Sequence, residues 1–277
     1  MADLDPTRLV FVGGLHRSGT TPFARVLGDH PEVSGLTDTG VREDEGQHLQ
    51  QVYAKAKVHG GSGRFAYAPA AHLTEDSPLI GPDNARKIVD AWTPFWDLEA
   101  RLLVEKSPPN IIMGRFLQAM YPGSAFIVVV RHPVTVALSN KKWRKFVSRN
   151  PRKFQTLTGM VDHWLTAHAL LAQDLPHLDR ALVIHYERLV SDPDHELSRV
   201  EALLGLSSPI SRTAFTGQHG SSYAQWWEEL RSPWRPGGWQ RQIIERRQSA
   251  DVWDFGYDVN DLGHHETVSG DPFGLKR

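Results

Sequence analysis

A glycine-rich loop with an embedded arginine is the stretch of this sequence best suited to chemistry. Residues 9–21, LVFVGGLHRSGTT, run from an apolar segment into glycines and then into hydroxyl side chains. From Gly14 the spacing is G-x-x-x-x-G-T-T, the frame of a phosphate-binding loop with Thr20 in place of lysine and Arg17 three residues earlier. Backbone N–H groups in such a turn bind anions, and without the lysine the loop suits a smaller anion held without a metal. The candidate anion-binding residues are Gly14, His16, Arg17, Ser18, Gly19, Thr20 and Thr21.

A second motif also has the residue types that bind a phosphate. In IVVVRHPVTVALSNKKW an apolar strand ends at Arg131, Pro133 follows, and Ser139 lies eight residues after the arginine in a predicted helix. A guanidinium and a hydroxyl donor together suit a phosphate monoester. The sequence therefore contains two separate candidate anion sites.

The two motifs resemble those of the sulfotransferases that use 3′-phosphoadenosine 5′-phosphosulfate (PAPS), in the bacterial branch related to tyrosylprotein and carbohydrate sulfotransferases. The family's 5′ loop has the form Lys/Arg-Ser-Gly-Thr-Thr, as in residues 17–21, and its 3′-phosphate motif is an arginine followed by a serine at this separation. The resemblance implies that Arg17 and the loop amides bind the 5′-phosphosulfate of PAPS. It implies that Arg131 and Ser139 bind the 3′-phosphate.

The segment LLVEKSPPN resembles the family's third motif, in which a strand ends with a lysine and a small hydroxyl residue beside the reacting centre. Lys106 and Ser107 occupy those places. The resemblance implies that Lys106 stabilises charge on the bridging oxygen as the sulfuryl group leaves. The cytosolic small-molecule branch has a histidine base two residues after this lysine, whereas this chain has Pro108.

The general base must therefore come from elsewhere in the chain. In the tyrosylprotein branch it is a glutamate shortly after the loop helix. In the segment HPEVSGLTDTG, Asp38 occupies the position of that glutamate. The acidic run that follows offers Glu45 as the second candidate and His48 as the third. The alternative for such a run is a solvated surface.

A loop near the C-terminus supplies one more candidate. The segment SPWRPGGWQ resembles a family loop that closes over the nucleotide, which implies that Arg235 reaches the 3′-phosphate. The histidines show no metal-binding spacing, so we predict no metal. Two other functions are open: a P-loop kinase or related phosphotransferase, and a nucleotide-binding module without catalysis.

The elements that position these residues follow from apolar runs that alternate with helical patterns. Strands are predicted over Leu9–Gly13, Leu102–Val104, Ala125–Val130 and Ala181–Tyr186, and helices over 20–27, 85–92, 110–120, 134–147, 156–174 and 194–204. This alternation predicts a single α/β domain, a P-loop-type parallel sheet with helices on both faces and ligands beyond the carboxyl ends of its strands. Residues 34–82 and 207–240 fit the pattern poorly and are predicted to be lid insertions that form the acceptor site. Residues 263–277 are predicted to be a loose tail.

Composition sets limits on partners. The 277 residues carry a net charge of −1 and no cysteine, which excludes disulfides, thiolate metal sites and an overall field for nucleic acid. No apolar run approaches the ~20 residues that span a bilayer, and no signal peptide is evident, so we expect a cytoplasmic protein. The expected acceptor is a small molecule or a glycan. The oligomeric state is left open.

Overall fold

A five-stranded, entirely parallel sheet forms the centre of the computed structural model, which describes residues 4–147, 155–215, 221–232, 234–268 and 272–273. The strand order is β2-β3-β1-β4-β5. The strands are β1 (Leu9–Gly13), β2 (Val33–Gly35), β3 (Leu102–Lys106), β4 (Ala125–Val130) and β5 (Ala181–His185). The predicted α/β class with a parallel sheet is confirmed.

Helices cover both faces of this sheet because its strands are apolar on both sides. Along β1, Val10 and Val12 face one hydrophobic cluster and Leu9 and Phe11 face the other. The first cluster is closed by α1 (Thr20–Gly28), α6 (Tyr186–Ser191) and α7 (Pro193–Leu204). The second is closed by α2 (Pro82–Trp92), α3 (Gly114–Met120), α4 (Pro133–Val147) and α5 (Leu157–Asp174). Alternation of side chains along a strand produces this two-sided core.

The order of the strands places the three sequence motifs at one edge of the sheet. β3, β1 and β4 are neighbours, and Val12 of β1 pairs with Lys106 of β3 and with Ile127 of β4. Parallel strands end at the same edge, so Lys106, the loop after Gly13 and Arg131 after Val130 lie side by side.

Residues 36–81, most of the first predicted insertion, contain short 3₁₀ turns and no strand or α-helix. They are nevertheless packed into the core: Tyr53 and Phe65 are buried, and the Phe65 ring contacts His16 and His163. A segment packed in this way forms a fixed wall beside the loop. Its role at an acceptor site stays a prediction.

The C-terminal part contains helices that the sequence pattern did not predict: α8 (Ser221–Glu229), α9 (Gly238–Ile243), a π-helical turn (Ile244–Gln248) and α10 (Ser249–Trp253). They contribute Trp227, Ile244 and Val252 to the core. Much of residues 207–240 is therefore helical. Their role as a lid also stays a prediction.

Part of the predicted loose tail packs against the body of the protein. The His265 ring stacks on His185 at 3.4 Å between centroids, and Phe273 is buried beside Phe255. Residues 269–271 and 274–277 lie outside the described residues. Within the described ranges, no helix is long and apolar enough to cross a membrane.

Candidate active site

Two glycines shape the loop between β1 and α1. Gly14 has φ +146°, and a Cβ there would lie 2.4 Å from the carbonyl oxygen of Val129. Gly19 has φ +98°, and a Cβ there would lie 2.5 Å from the Tyr186 ring. Only glycine fits such positions, because side chains are excluded both by the backbone conformation and by the neighbouring atoms. The loop is thus held between β4 and the start of α6.

Polar atoms that an anion would satisfy lie inside this loop. Ser18 is fully buried, and its Oγ has no hydrogen-bond partner among the described residues. Arg17 itself adopts a left-handed backbone conformation with φ 78°, which is uncommon outside glycine and often marks functional sites. A buried hydroxyl without a partner is costly, so the loop fits an anionic ligand that accepts its hydrogen bond.

The two arginine motifs meet in one place. Arg17 Nε donates to Ser139 Oγ at 3.1 Å, and Arg131 Nη1 donates to the carbonyl oxygen of Arg17 at 3.4 Å. The Arg131 guanidinium lies 4.2 Å from the centroid of the Tyr186 ring, a cation–π contact that fixes its plane. Tyr223 donates to Ser139 from α8 at 3.1 Å. Two arginines and the hydroxyls of Ser139 and Tyr223 are therefore joined by direct contacts at the carboxyl end of the sheet.

A buried carboxylate braces the end of β4. Glu187 accepts a hydrogen bond from the backbone N–H of His132 at 3.0 Å and one from the Tyr257 hydroxyl at 3.1 Å. Burial raises the pKa of Glu187, while these hydrogen bonds and the charge of Arg131 oppose that rise. The contact fixes the backbone beside Arg131.

Next to the loop, Lys106 and Glu45 form a buried pair. Lys106 Nζ lies 3.6 Å from Glu45 Oε1 and donates to the carbonyl oxygen of Glu43 at 2.8 Å. Gln47 Nε2 donates to Glu45 Oε2 at 2.6 Å, and His48 Nε2 lies 3.4 Å from the same oxygen. The side chains of Lys106 and Glu45 are 6% and 8% exposed, which leaves a small accessible face.

The pKa values of this pair reflect their burial and their mutual charge. Burial alone would raise the pKa of Glu45, but hydrogen bonding to His48 and the charge of Lys106 outweigh it and hold the pKa below its usual value. Burial lowers the pKa of Lys106, although the charges of Glu45 and Glu105 oppose the shift. Glu45 is therefore a carboxylate near neutral pH, and Lys106 loses its proton at a lower pH than an exposed lysine does.

Of the two leading candidates for the base, the structure places Glu45 beside Lys106. Asp38 is exposed, and none of the contacts among the described residues joins it to Lys106 or to the glycine-rich loop. Its neighbour Thr39 donates to Asp44 at 2.6 Å, within a turn that leads to Glu45. The geometry thus favours the second-ranked candidate over the first.

The family model described as "Sulfotransferase family" matches residues 9–209 of this chain. The chain belongs to the sulfotransferase family. The prediction of the family from the two arginine motifs is confirmed. The matched range contains both motifs, Lys106 and Glu45, while Arg235 and Tyr223 lie beyond it.

Several curated relatives share this similarity. NoeE, a nodulation protein of Sinorhizobium fredii, is 28% identical over 234 residues, 73% of this chain and 51% of that protein. Human heparan sulfate glucosamine 3-O-sulfotransferase 6 is 35% identical over 136 residues, 43% of this chain and 39% of that protein. Protein-tyrosine sulfotransferase 2 of Gallus gallus is 25% identical over 209 residues, 72% of this chain and 51% of that protein. The chain spans about half the length, or less, of these relatives.

The remaining predicted site residues lie in different settings. Thr20 is buried at the start of α1 and Thr21 is partly exposed. The His16 ring contacts Phe65, and burial lowers the pKa of His16 to about 4, so the ring is neutral. Arg235 is exposed and lies 3.8 Å from Glu229, so its predicted contact with the nucleotide stays a prediction.

Three side chains at the candidate site are not among the predicted site residues. Tyr186 lies against both Gly19 and Arg131. Gln47 and Tyr223, which bond to Glu45 and Ser139, were not predicted. Tyr186 directly follows β5, so its place at a strand end was the available signal.

Proposed function

We propose that this sulfotransferase transfers a sulfuryl group from PAPS to a hydroxyl group of a small-molecule or glycan acceptor, giving 3′,5′-ADP and a sulfate ester. The observation that carries the proposal is the hydrogen bond between Arg17 and Ser139, which joins the two anion motifs in one site. PAPS is anionic at both ends of its adenosine, so a ligand of this kind needs two neighbouring cationic sites.

Residues that follow the ends of β1 and β4 bind the donor. The loop amides, the Ser18 hydroxyl and Arg17 bind the 5′-phosphosulfate, because they form the cradle whose buried hydroxyl has no hydrogen-bond partner among the described residues. Arg131 and Ser139 bind the 3′-phosphate. Neither group requires a metal ion.

Transfer takes place beside the Lys106–Glu45 pair. The acceptor oxygen forms a bond to sulfur, the bond between sulfur and the 5′-phosphate oxygen breaks, and the acceptor proton passes to Glu45. Lys106 and Arg17 stabilise the negative charge that develops on the transferring and bridging oxygens, a contribution of about 3 kcal/mol for a single well-placed donor. A positioned base such as Glu45 contributes about 10²–10⁴-fold to the rate.

The acceptor class rests on the relatives and on the walls of the site. The names of the curated relatives include a heparan sulfate glucosamine and a protein tyrosine as acceptors. We propose that residues 36–81 supply a wall of the acceptor site, because Phe65 of that segment contacts His16 of the loop.

Transfer of labelled sulfate from PAPS tests the proposal directly. The purified chain is incubated with ³⁵S-PAPS and a panel of glycans, phenols and hydroxylated natural products, and labelled esters are separated from free sulfate. We expect an ester and a stoichiometric amount of 3′,5′-ADP. Turnover of ATP with Mg²⁺ in place of PAPS would instead favour a phosphotransferase, and binding of 3′,5′-ADP without any product would favour a binding module.

The Arg131→Ala variant tests how the donor is bound. Loss of a charged hydrogen bond of about 1.5–3 kcal/mol weakens 3′,5′-ADP binding by about 10- to 100-fold, measured by isothermal titration calorimetry. The kcat value at saturating PAPS should change little, since Arg131 holds the end of the donor that does not react. A lower kcat with unchanged affinity would contradict this role.

The pH dependence of kcat/KM should have an acid limb set by Glu45 and an alkaline limb set by Lys106. Glu45 works ionised, so activity is lost as the pH falls through a pKa that lies below the usual value for glutamate. Lys106 works protonated, so activity is lost as the pH rises through a pKa that lies below the usual value for lysine. In a Lys106→Arg variant the alkaline limb should disappear, because a guanidinium stays charged throughout this range. An acid limb above the usual range of glutamate would contradict the assignment.

A further inference from the structure

Glu105 is a second carboxylate near the proposed base, and it has no role in the proposed transfer step. It is the next-to-last residue of β3 and is fully buried. Because side chains alternate along a strand, Glu105 and its neighbour Lys106 point to opposite sides of β3. Both nevertheless contact the segment that carries Glu45.

The contacts of Glu105 fix the residue that follows Glu45. Glu105 Oε1 accepts from the backbone N–H of Gly46 at 3.0 Å and from Ser107 Oγ at 2.5 Å, while Asn110 Nδ2 donates to Oε2 at 2.6 Å. Ser107 Oγ in turn accepts from the backbone N–H of Gln47 at 2.9 Å. The backbone N–H groups of Gly46 and Gln47 are thus bonded to Glu105 of β3 and to Ser107, which follows directly after the strand.

The close packing at Gly46 supports the same arrangement. A Cβ at Gly46 would lie 2.6 Å from Glu105 Cγ, so the backbone approaches the carboxylate as only glycine allows. Trp92 Nε1 donates to the carbonyl oxygen of Gly46 at 3.0 Å. Gly46 is therefore held through both its N–H and its C=O group.

The segment before Glu45 needs such an anchor. Glu43 and Asp44 have φ values of 55° and 50°, left-handed conformations that cost non-glycine residues of order 1 kcal/mol or more each. Regular structure in residues 36–44 is limited to the 3₁₀ turn Arg42–Asp44. The hydrogen bonds of Gly46 to Glu105 and Trp92 hold the chain directly after this strained turn, on the far side of Glu45.

We propose that Glu105 is a positioning residue that acts through Glu45: by binding the Gly46 N–H group it keeps the base within reach of Lys106 and the acceptor. The inference rests on the proposed function, because Glu45 is the proposed base. Burial raises the pKa of Glu105 to about 7, against hydrogen bonds from Ser107 and Asn110 and the charge of Lys106, which lower it. Its test is therefore made at a pH above 8, where the carboxylate is ionised and accepts all three bonds.

A double-mutant cycle separates positioning from general structural damage. Glu105→Gln keeps the size of the side chain but replaces one acceptor oxygen with a donor that faces Gly46, Ser107 or Asn110. We expect kcat to fall by about 10- to 100-fold, the effect of a small displacement of a catalytic group, with 3′,5′-ADP affinity unchanged. In the Glu45→Gln background the same substitution should change kcat little, because the group that it positions is already absent.

Each outcome of the cycle has a distinct meaning. An equal loss in both backgrounds, or no loss in the wild-type background, overturns the positioning role while the assignment of Glu45 stands. Full activity of Glu45→Gln alone overturns the assignment of the base and with it the inference. Ser107→Ala provides a second variant that removes the Gln47 anchor and leaves the carboxylate in place, so a folding failure of Glu105→Gln does not end the test.

As a matched control, Glu196→Gln alters another fully buried glutamate, on α7, and should leave kcat unchanged.

Discussion

In the Arg17→Ala variant we expect kcat with PAPS to fall by about 100- to 1,000-fold, the loss typical of removing one donor from an oxyanion-binding site. Arg17 belongs to the glycine-rich loop, and its Nε donates to Ser139. Its backbone has a left-handed conformation, and its carbonyl oxygen accepts from Arg131. A guanidinium held in this way needs no rearrangement to neutralise oxygens as the sulfuryl group moves. Initial rates at saturating PAPS measure the loss, and 3′,5′-ADP affinity measured separately should fall less.

Two further arginine variants make the Arg17 result specific. Arg25→Ala removes a largely exposed guanidinium from α1, the helix that follows the loop, and should leave kcat unchanged. Arg17→Lys keeps the charge but loses the planar group that bonds to Ser139, so its kcat should lie between those of the wild type and Arg17→Ala. If Arg17→Ala weakened donor binding alone and kept the wild-type kcat, Arg17 would hold the donor without assisting transfer.

The sequence predicts the fold correctly where the strands are long and apolar on both faces. Leu9–Gly13 and Ala125–Val130 were predicted with the bounds that the structure has, because a run of buried residues followed by glycine or a charged residue is a strong local signal. The edge strand Val33–Gly35 was missed, since three residues that include Ser34 and Gly35 show no periodicity. Only its pairing with β3 makes it a strand.

Part of the site could be predicted from local sequence patterns, and part depends on contacts between segments that are distant in the sequence. The arginine motifs were found because each lies at a single strand–helix junction, where spacing and geometry coincide. The pairing of Glu45 with Lys106 depends on the turn at Glu43 and Asp44 and on the anchor at Glu105, and no residue pattern indicates a left-handed glutamate. Assignment by motif therefore favoured Asp38, whereas the backbone path brings Glu45 to the lysine.

Lys106 forms its ion pair with Glu45, although Glu105 is its neighbour in the sequence. Adjacent residues of a strand point to opposite sides, so Glu105 accepts from Gly46 and Asn110 while Lys106 lies beside Glu45. Two neighbouring residues of β3 thereby hold one loop from two directions. The strand end that supplies the lysine also fixes the location of the base.

The largest effect on the chemical step is expected for Glu45→Gln, which replaces the proposed base by a neutral amide of the same size. Without a group to accept the acceptor's proton, kcat should fall by about 10²–10⁴-fold. The affinity for 3′,5′-ADP should stay at the wild-type value, because Glu45 contacts Lys106, Gln47 and His48, whereas Arg131 and Ser139, which we propose bind the 3′-phosphate, contact Arg17. Single-turnover transfer from ³⁵S-PAPS measures the chemical step apart from product release.

The matched comparison for this variant is Asp38→Asn, which removes the acid that sequence resemblance placed first. Asp38 is exposed and stands outside the contacts of Lys106, so its loss should leave single-turnover transfer at the wild-type rate. The reverse pattern, a slow Asp38→Asn and a fully active Glu45→Gln, would assign the base to Asp38 and require the 36–44 segment to rearrange when the acceptor binds. Slow transfer in both variants would mean that the two carboxylates act together, with Asp38 reached only in the bound state.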